Sequence, residues 1–187
     1  FPGNLLSLGT HPQPRVEAQL SLAYNRWVCE RILPADDRVK TLLYLPISEP
    51  DMCLKMIDEF GENPNVSGFM ITSVRYKPVH HNSYIPIYRE LEERNLPLAF
   101  HAGLTWGDDW MKQLDLFISM HAISFVLCNM VHLTNWLVHG MQERFPKLKV
   151  LWIESGLTWL AFIGQRLDSE YMMRPSEAPL LKKLPSE

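Results

Sequence analysis

The apolar positions of this chain follow two alternating patterns: short unbroken runs, and longer stretches in which apolar residues return every third or fourth place. Val16, Leu20, Ala23, Trp27 and Val28 recur at helical spacing between Arg15 and Leu33, and Pro34 ends the pattern, which predicts an amphipathic helix carrying that apolar stripe. The run Thr41 to Ile47 is bounded by turn residues and suits a strand buried on both faces. Ser48, then Pro50 at a first-turn position and Asp51 three residues after the serine, form an N-terminal helix signature leading into the next periodic stretch.

The same alternation recurs. Val66 to Thr72 predicts a second buried strand, and Tyr84, Ile87, Tyr88 and Leu91 line one face of a helix from about Ser83 to Arg94. A third strand is expected in Leu96 to Gly103 and a fourth in Leu148 to Gly156, followed by a helix from about Leu157 to Tyr171. Strand and helix in regular alternation argue for an α/β protein with a parallel sheet. Between the last two strands, Thr105 to Phe145 contains no proline and reads as helical throughout. Its second part is apolar around nearly its whole circumference, which calls for cover by other protein, a second subunit among the options. A single domain is expected: a helical segment over 1–40, βα units over 41–173, and a proline-punctuated tail over 174–187.

Composition narrows the setting. With 47% hydrophobic residues and six tryptophans the chain has apolar material for a sizeable core, which excludes a disordered tail. A net charge of −3 with dispersed Lys and Arg offers no footprint for a phosphate backbone, so nucleic acid is not an expected partner. Cys29, Cys53 and Cys128 are odd in number and far apart, which excludes a CxxC zinc or redox motif and suits reduced thiols. No basic-then-apolar leader opens the chain, and the longest apolar stretch, Ile123 to Val131, falls short of a membrane span, so a soluble, cytoplasmic protein is expected.

One phrase occurs twice. Phe100 to Trp106 reads FHAGLTW and Ile153 to Trp159 reads IESGLTW, with His101 in one copy where the other has Glu154. Both residues stand where a buried strand ends, and in parallel α/β folds strand ends point into the crevice or barrel mouth where ligands bind. Strand alternation groups Pro97, Ala99 and His101 on one face and Val150, Trp152 and Glu154 on the equivalent face of the other strand. The small-Gly pairs that follow, Ala102-Gly103 and Ser155-Gly156, permit a tight turn over the site. The two copies thus offer a metal-binding or proton-transferring side chain at the top of each strand, with a hydrogen-bonded structural histidine as the alternative at position 101.

Arg144 to Tyr171, together with Ile87 to Gly103, resembles the amidohydrolase-related metal-dependent barrels, the branch that includes aminocarboxymuconate semialdehyde decarboxylase and hydroxybenzoate-type decarboxylases. The likeness runs from roughly Arg38 to Tyr171. It implies a (β/α)8 barrel holding a divalent metal, usually zinc, with His101 matching the family's metal-binding histidine at the end of the fifth strand. It also implies hydrolysis by an activated water, or metal-assisted loss of carbon dioxide, on a small carboxylated or cyclic substrate. Three positions depart from the pattern. Glu154-Ser155-Gly156 stands where the family usually has His-Gly-Gly, no H-x-H or E-x-H pair occurs in 1–40, and no aspartate follows Asp168. A carboxylate at 154 can act as general base or oxygen ligand. Four strands in 187 residues, against eight in about 250 for a closed barrel, predict a partial TIM barrel of about four parallel strands with outer helices.

Further candidates flank the motifs. Arg75 follows the second strand and suits a substrate carboxylate through bidentate bonds, or is a solvated loop residue. Of the adjacent His80 and His81, whose side chains diverge, His80 is the candidate for the mouth. Trp106 and Trp159 are candidates to wall a pocket for a flat or apolar substrate, with core packing as the alternative for each. His132 and His139 share a helical face without a third ligand nearby, which predicts core or interface hydrogen bonds. No GxSxG, phosphate loop or dinucleotide fingerprint is present. The expected partners are a small-molecule substrate and a second copy of the chain. The rival reading is a non-catalytic half-barrel that assembles through the apolar helix near 125–141.

Overall fold

Four apolar runs pair side by side as β1 (Thr41–Tyr44), β2 (Val66–Thr72), β3 (Leu98–His101) and β4 (Val150–Ile153), all parallel and in the order of the chain. The computed structural model describes residues 2–72, 77–102 and 107–187. Among the described residues six α-helices accompany the strands: α1 (Pro14–Trp27), α2 (Pro50–Phe60), α3 (Ile85–Glu93), α4 (Phe117–Val138), α5 (Met141–Arg144) and α6 (Thr158–Met173). Strand followed by helix, repeated along an open parallel sheet, is a partial (β/α)8 barrel.

The sheet has two unlike faces. Leu43, Phe69, Ile71, Leu98 and Phe100 point outward into a large core shared with Ile57, Tyr88 and Trp136 from the covering helices. Tyr44, Met70 and Ala99 point the other way, against Leu8 and the adjoining Leu5 and Leu6 of the N-terminal segment. Period-2 alternation produces this sorting, and every large apolar side chain buried in it contributes about 1.5–3 kcal/mol.

Three expectations need correction. Leu20 and Trp27 of α1 are exposed, while Glu17, Ala18, Ser21 and Asn25 are the buried stripe. The polar members are satisfied there: Asn25 bonds both the backbone N–H and the carbonyl of Tyr44, and Ser21 donates to the carbonyl of Glu17. Hydrogen bonding to β1, which periodicity does not register, therefore orients this helix. Ser48 does not cap α2. Glu49 holds that position without a side-chain bond, and the Ser48 hydroxyl donates to the Glu17 carboxyl instead. Nor is 105–145 helical throughout. Among its described residues, turns and a single 3-10 turn (Met111–Gln113) precede α4, and Gly140, in a left-handed conformation, separates α4 from α5.

The expectation that the apolar stretch falls short of a membrane span also needs correction: it rested on Ile123 to Val131 alone, whereas the helix α4 that contains them is long and apolar enough to cross a membrane by length and composition. Phe125, Asn129, His132 and Trp136 attach it to the sheet, and Phe117, Ile118, Ile123, Leu127 and Val131 remain exposed.

Candidate functional site

At the carboxyl ends of the strands, β2 and β3 set Thr72 opposite His101, and β3 and β4 set His101 opposite Ile153. These side chains share the inner face with Tyr44, Met70 and Ala99. Glu154 is therefore one residue past the position opposite His101. Strict alternation would send it outward with Trp152, whose ring stacks on Phe100 at 4.7 Å on the outer face. The expected grouping of Glu154 with the face of His101 by strand parity is thus wrong by one place. What returns it is the backbone, because Glu154 has φ 56°, in the left-handed region. As a result Oε1 of Glu154 lies 3.4 Å from Nε2 of His101.

The two partners differ in environment. His101 is buried, and its Nδ1 lies 2.6 Å from the carbonyl of Ala102. A carbonyl only accepts, so Nδ1 carries the proton, and in the neutral ring Nε2 presents a lone pair toward Glu154. The Glu154 side chain is 47% exposed, open to solvent and to an incoming molecule.

Asn129, in the middle of α4, holds the two strand ends together. Its Nδ2 donates to the carbonyl of Ile153 at 3.1 Å and of Phe100 at 3.5 Å, and it contacts the hydroxyl of buried Ser155. Ser155 in turn donates to the carbonyl of Ile153. Sequence reasoning missed this clamp. The available signal was an amide, Asn129, within a helix apolar around nearly its whole circumference, since a buried amide needs partners.

A second polar group sits on the same inner face. Glu17 is fully buried, accepts from the Tyr44 hydroxyl at 2.9 Å and from Ser48, and Tyr44 lies 3.1 Å from the Thr72 hydroxyl. Burial raises the Glu17 carboxyl above its ordinary range, the bonds from Ser48 and Tyr44 oppose this, and the Glu49 charge adds to the rise.

The other candidates are dispersed. Arg75 and Trp106 lie outside the described residues. His80 stacks on His139 with ring centroids 3.4 Å apart, in contact with the end of α4 rather than with His101 or Glu154. Burial lowers both rings' affinity for a proton, and at His80 the neighbouring His139 adds to the effect. His132 lies against Cys128 Sγ at 3.4 Å and the Phe100 ring. Trp159 is buried, and its indole N–H donates to the carbonyl of Gly156, closing the turn after Glu154.

A four-stranded parallel part of a barrel, with a histidine and a carboxylate meeting at its carboxyl rim, is the arrangement of a partial (β/α)8 barrel, a fold whose ligand sites lie at the strand ends. The family profile described as Amidohydrolase matches residues 9–185, and the chain belongs to the amidohydrolase family. Its fold is similar to an amidohydrolase from Mycobacterium avium subsp. paratuberculosis K-10 (TM-score 0.77, 18% identity, 92% of this chain and 47% of that one). It is also similar to 2,6-dihydroxybenzoate decarboxylase from Rhizobium (TM-score 0.73, 17% identity, 89% and 54%). A third similar structure is 5-carboxyvanillate decarboxylase from Novosphingobium aromaticivorans DSM 12444, complexed with manganese and 4-hydroxy-3-methoxy-5-nitrobenzoic acid (TM-score 0.73, 17% identity, 95% and 52%). The chain spans about half the length of these solved structures. No curated protein matches it.

Proposed function

We propose that this chain contributes His101 and Glu154 to a divalent-metal site serving hydrolysis or decarboxylation of a small carboxylated or cyclic substrate. The observation that carries the reading is the 3.4 Å approach of Nε2 and Oε1, with Nδ1 engaged by the Ala102 carbonyl. Metal-bound imidazoles usually donate their second nitrogen to such an acceptor. Two ligand atoms each about 2.0–2.2 Å from one tetrahedral ion stand about 3.4 Å apart, so the pair fits one ion. It is an incomplete set: no group of three or more His, Cys, Asp or Glu suited to a metal occurs among the described residues. We place the remaining ligands outside those residues.

A bound divalent ion would polarise a substrate oxygen or acidify a water. The chain's own contribution is separate. His101 presents a fixed lone pair, and the solvent-reachable Glu154 accepts or returns a proton. Arg75 and Trp106, on the segments after β2 and β3, are assigned to the substrate carboxylate and ring. The relatives that are decarboxylases of aromatic acids favour loss of carbon dioxide over hydrolysis.

The test is titration of Mn²⁺ into the full chain, followed by calorimetry and the Mn²⁺ electron-spin signal, alongside a panel of hydroxybenzoates assayed for released carbon dioxide. Binding that disappears in His101→Ala supports the reading. Binding indifferent to both His101→Ala and Glu154→Gln overturns it.

One observation favours a second reading, in which the chain assembles with a copy of itself. Exposed Ile123, Leu127 and Val131 of α4 line, together with exposed Trp110 and with Ile163 of α6, an apolar groove of about 810 Å³. Light scattering of wild type and Val131→Glu decides it, since self-association through this groove requires a concentration-dependent dimer that the charge abolishes.

A further inference from the structure

The buried carboxyl of Glu17 has no part in the His101–Glu154 pair, yet it begins a line of hydroxyls that ends beside that pair. Its Oε1 meets the Tyr44 hydroxyl at 2.9 Å, the Tyr44 oxygen meets the Thr72 hydroxyl at 3.1 Å, and Thr72 stands opposite His101 on the same face of the sheet. The N-terminal segment seals this line from one side. A Cβ at Gly9 would come within 2.6 Å of the Thr72 hydroxyl and 3.1 Å of the Tyr44 oxygen, so only glycine permits the close approach.

Each hydroxyl has one proton to donate, and that makes the line directional. With Glu17 ionised, Tyr44 donates to the carboxylate, Thr72 donates to Tyr44, and Thr72 offers only a lone pair at the strand ends. With a proton on Oε1, Glu17 donates to Tyr44, Tyr44 donates to Thr72, and the Thr72 O–H is released toward the strand ends. No bond to carbon changes; one proton is added at the inner end and one donor appears at the outer end.

We propose that Glu17 is a positioning residue whose protonation sets the direction of the Glu17–Tyr44–Thr72 line, and thereby whether Thr72 presents a donor or an acceptor beside His101. The donor state suits an anionic or carbonyl oxygen of a ligand, and the acceptor state repels it. The groups facing Glu17 are Tyr44 from β1, Ser48 and Glu49 from the segment after it, and Cys53 from α2. Of these Glu49 alone carries a carboxyl group. Its charge and burial both favour the protonated acid, whereas the bonds from Ser48 and Tyr44 favour the ionised one. The inference rests on the inner-face geometry alone and stands whether or not a metal binds at His101.

The test follows the Thr72 methyl carbon against pH in the metal-free full chain, assigned through Thr72→Val, with the labelled Glu17 carboxyl carbon recorded in parallel. In the wild type, the Thr72 signal is expected to shift at the pH where the Glu17 carboxyl titrates. That component is absent in Glu17→Gln, whose amide occupies the same space. In Tyr44→Phe the Glu17 carboxyl still titrates while the Thr72 component is lost, and adding Glu17→Gln there changes nothing further at Thr72. A Thr72 signal indifferent to Glu17→Gln overturns the proposal, since it places the proton on the oxygen facing Ser48. A Thr72 component that survives in Tyr44→Phe also overturns it. The first comparison needs no tyrosine variant and stands if Tyr44→Phe fails to fold.

Discussion

Nε2 of His101 lies 3.4 Å from Oε1 of Glu154, although the residue opposite His101 across the sheet is Ile153. The pair exists because one left-handed residue reverses the direction that strand geometry assigns to its side chain. Its chemistry and its backbone can therefore be perturbed separately.

If both groups hold one ion, each substitution removes a ligand rather than a supporting contact. Loss of a second-shell partner typically costs 10–100-fold in metal affinity, so His101→Ala is expected to weaken Mn²⁺ by at least about 100-fold. Glu154→Gln should weaken it by on the order of 10-fold or more. Calorimetric titration of the three proteins measures this, and equal affinities would remove the ligand assignment.

The left-handed conformation at Glu154 has a cost that glycine does not bear. Glu154→Gly is expected to raise the stability of the chain by roughly 1 kcal/mol while weakening metal binding at least as much as Glu154→Gln. Urea unfolding and Mn²⁺ titration on the same preparation check the two effects. A destabilised Gly variant would mean that the carboxylate itself supports the fold.

Asn129 bonds the carbonyls of both strands that carry the pair. Asn129→Ala leaves buried acceptors unsatisfied and is expected to cost about 1–3 kcal/mol. It should also weaken Mn²⁺ although residue 129 is no ligand. An unchanged metal affinity in a destabilised protein would confine Asn129 to a packing role.

Burial raises the Glu17 carboxyl above its ordinary value near 4.5. Between that value and the raised one the folded chain binds more protons than the unfolded chain, so stability falls as pH rises through the window and is level above it. Glu17→Gln lacks this loss. The difference between variant and wild type, read by urea unfolding over a pH series, should move in favour of the variant as pH rises from about 4.5. Parallel curves would show that Glu17 titrates alike in both states.

Much of this arrangement was legible along the chain. Apolar runs marked the four strands, and the repeated strand-end phrase marked His101 and Glu154. Such runs suit the covered β2 and β3, whereas β4, at the edge of the sheet, is only partly covered, with Leu151 exposed, so the expected burial of that strand needs correction. The stripe on α3 was legible too, since Tyr84, Ile87, Tyr88 and Leu91 are all buried. In α1 the same reasoning chose Leu20 and Trp27 over Glu17, Ser21 and Asn25, because periodicity weighs apolarity and is blind to a polar stripe with hydrogen-bond partners on β1.

The sequence by itself determined the alternation of strand and helix, the parallel sheet, and the two residues at the strand ends, since these follow from local periodicity and spacing. Only the tertiary structure decided which side chains meet. The register that sets His101 against Ile153, the left-handed turn that returns Glu154, and the amide of Asn129 between two strand ends all depend on contacts distant in sequence. So does the burial of Glu17 against Tyr44. Hydrogen-bond partners of this kind are selected when the elements pack, and no local pattern encodes them.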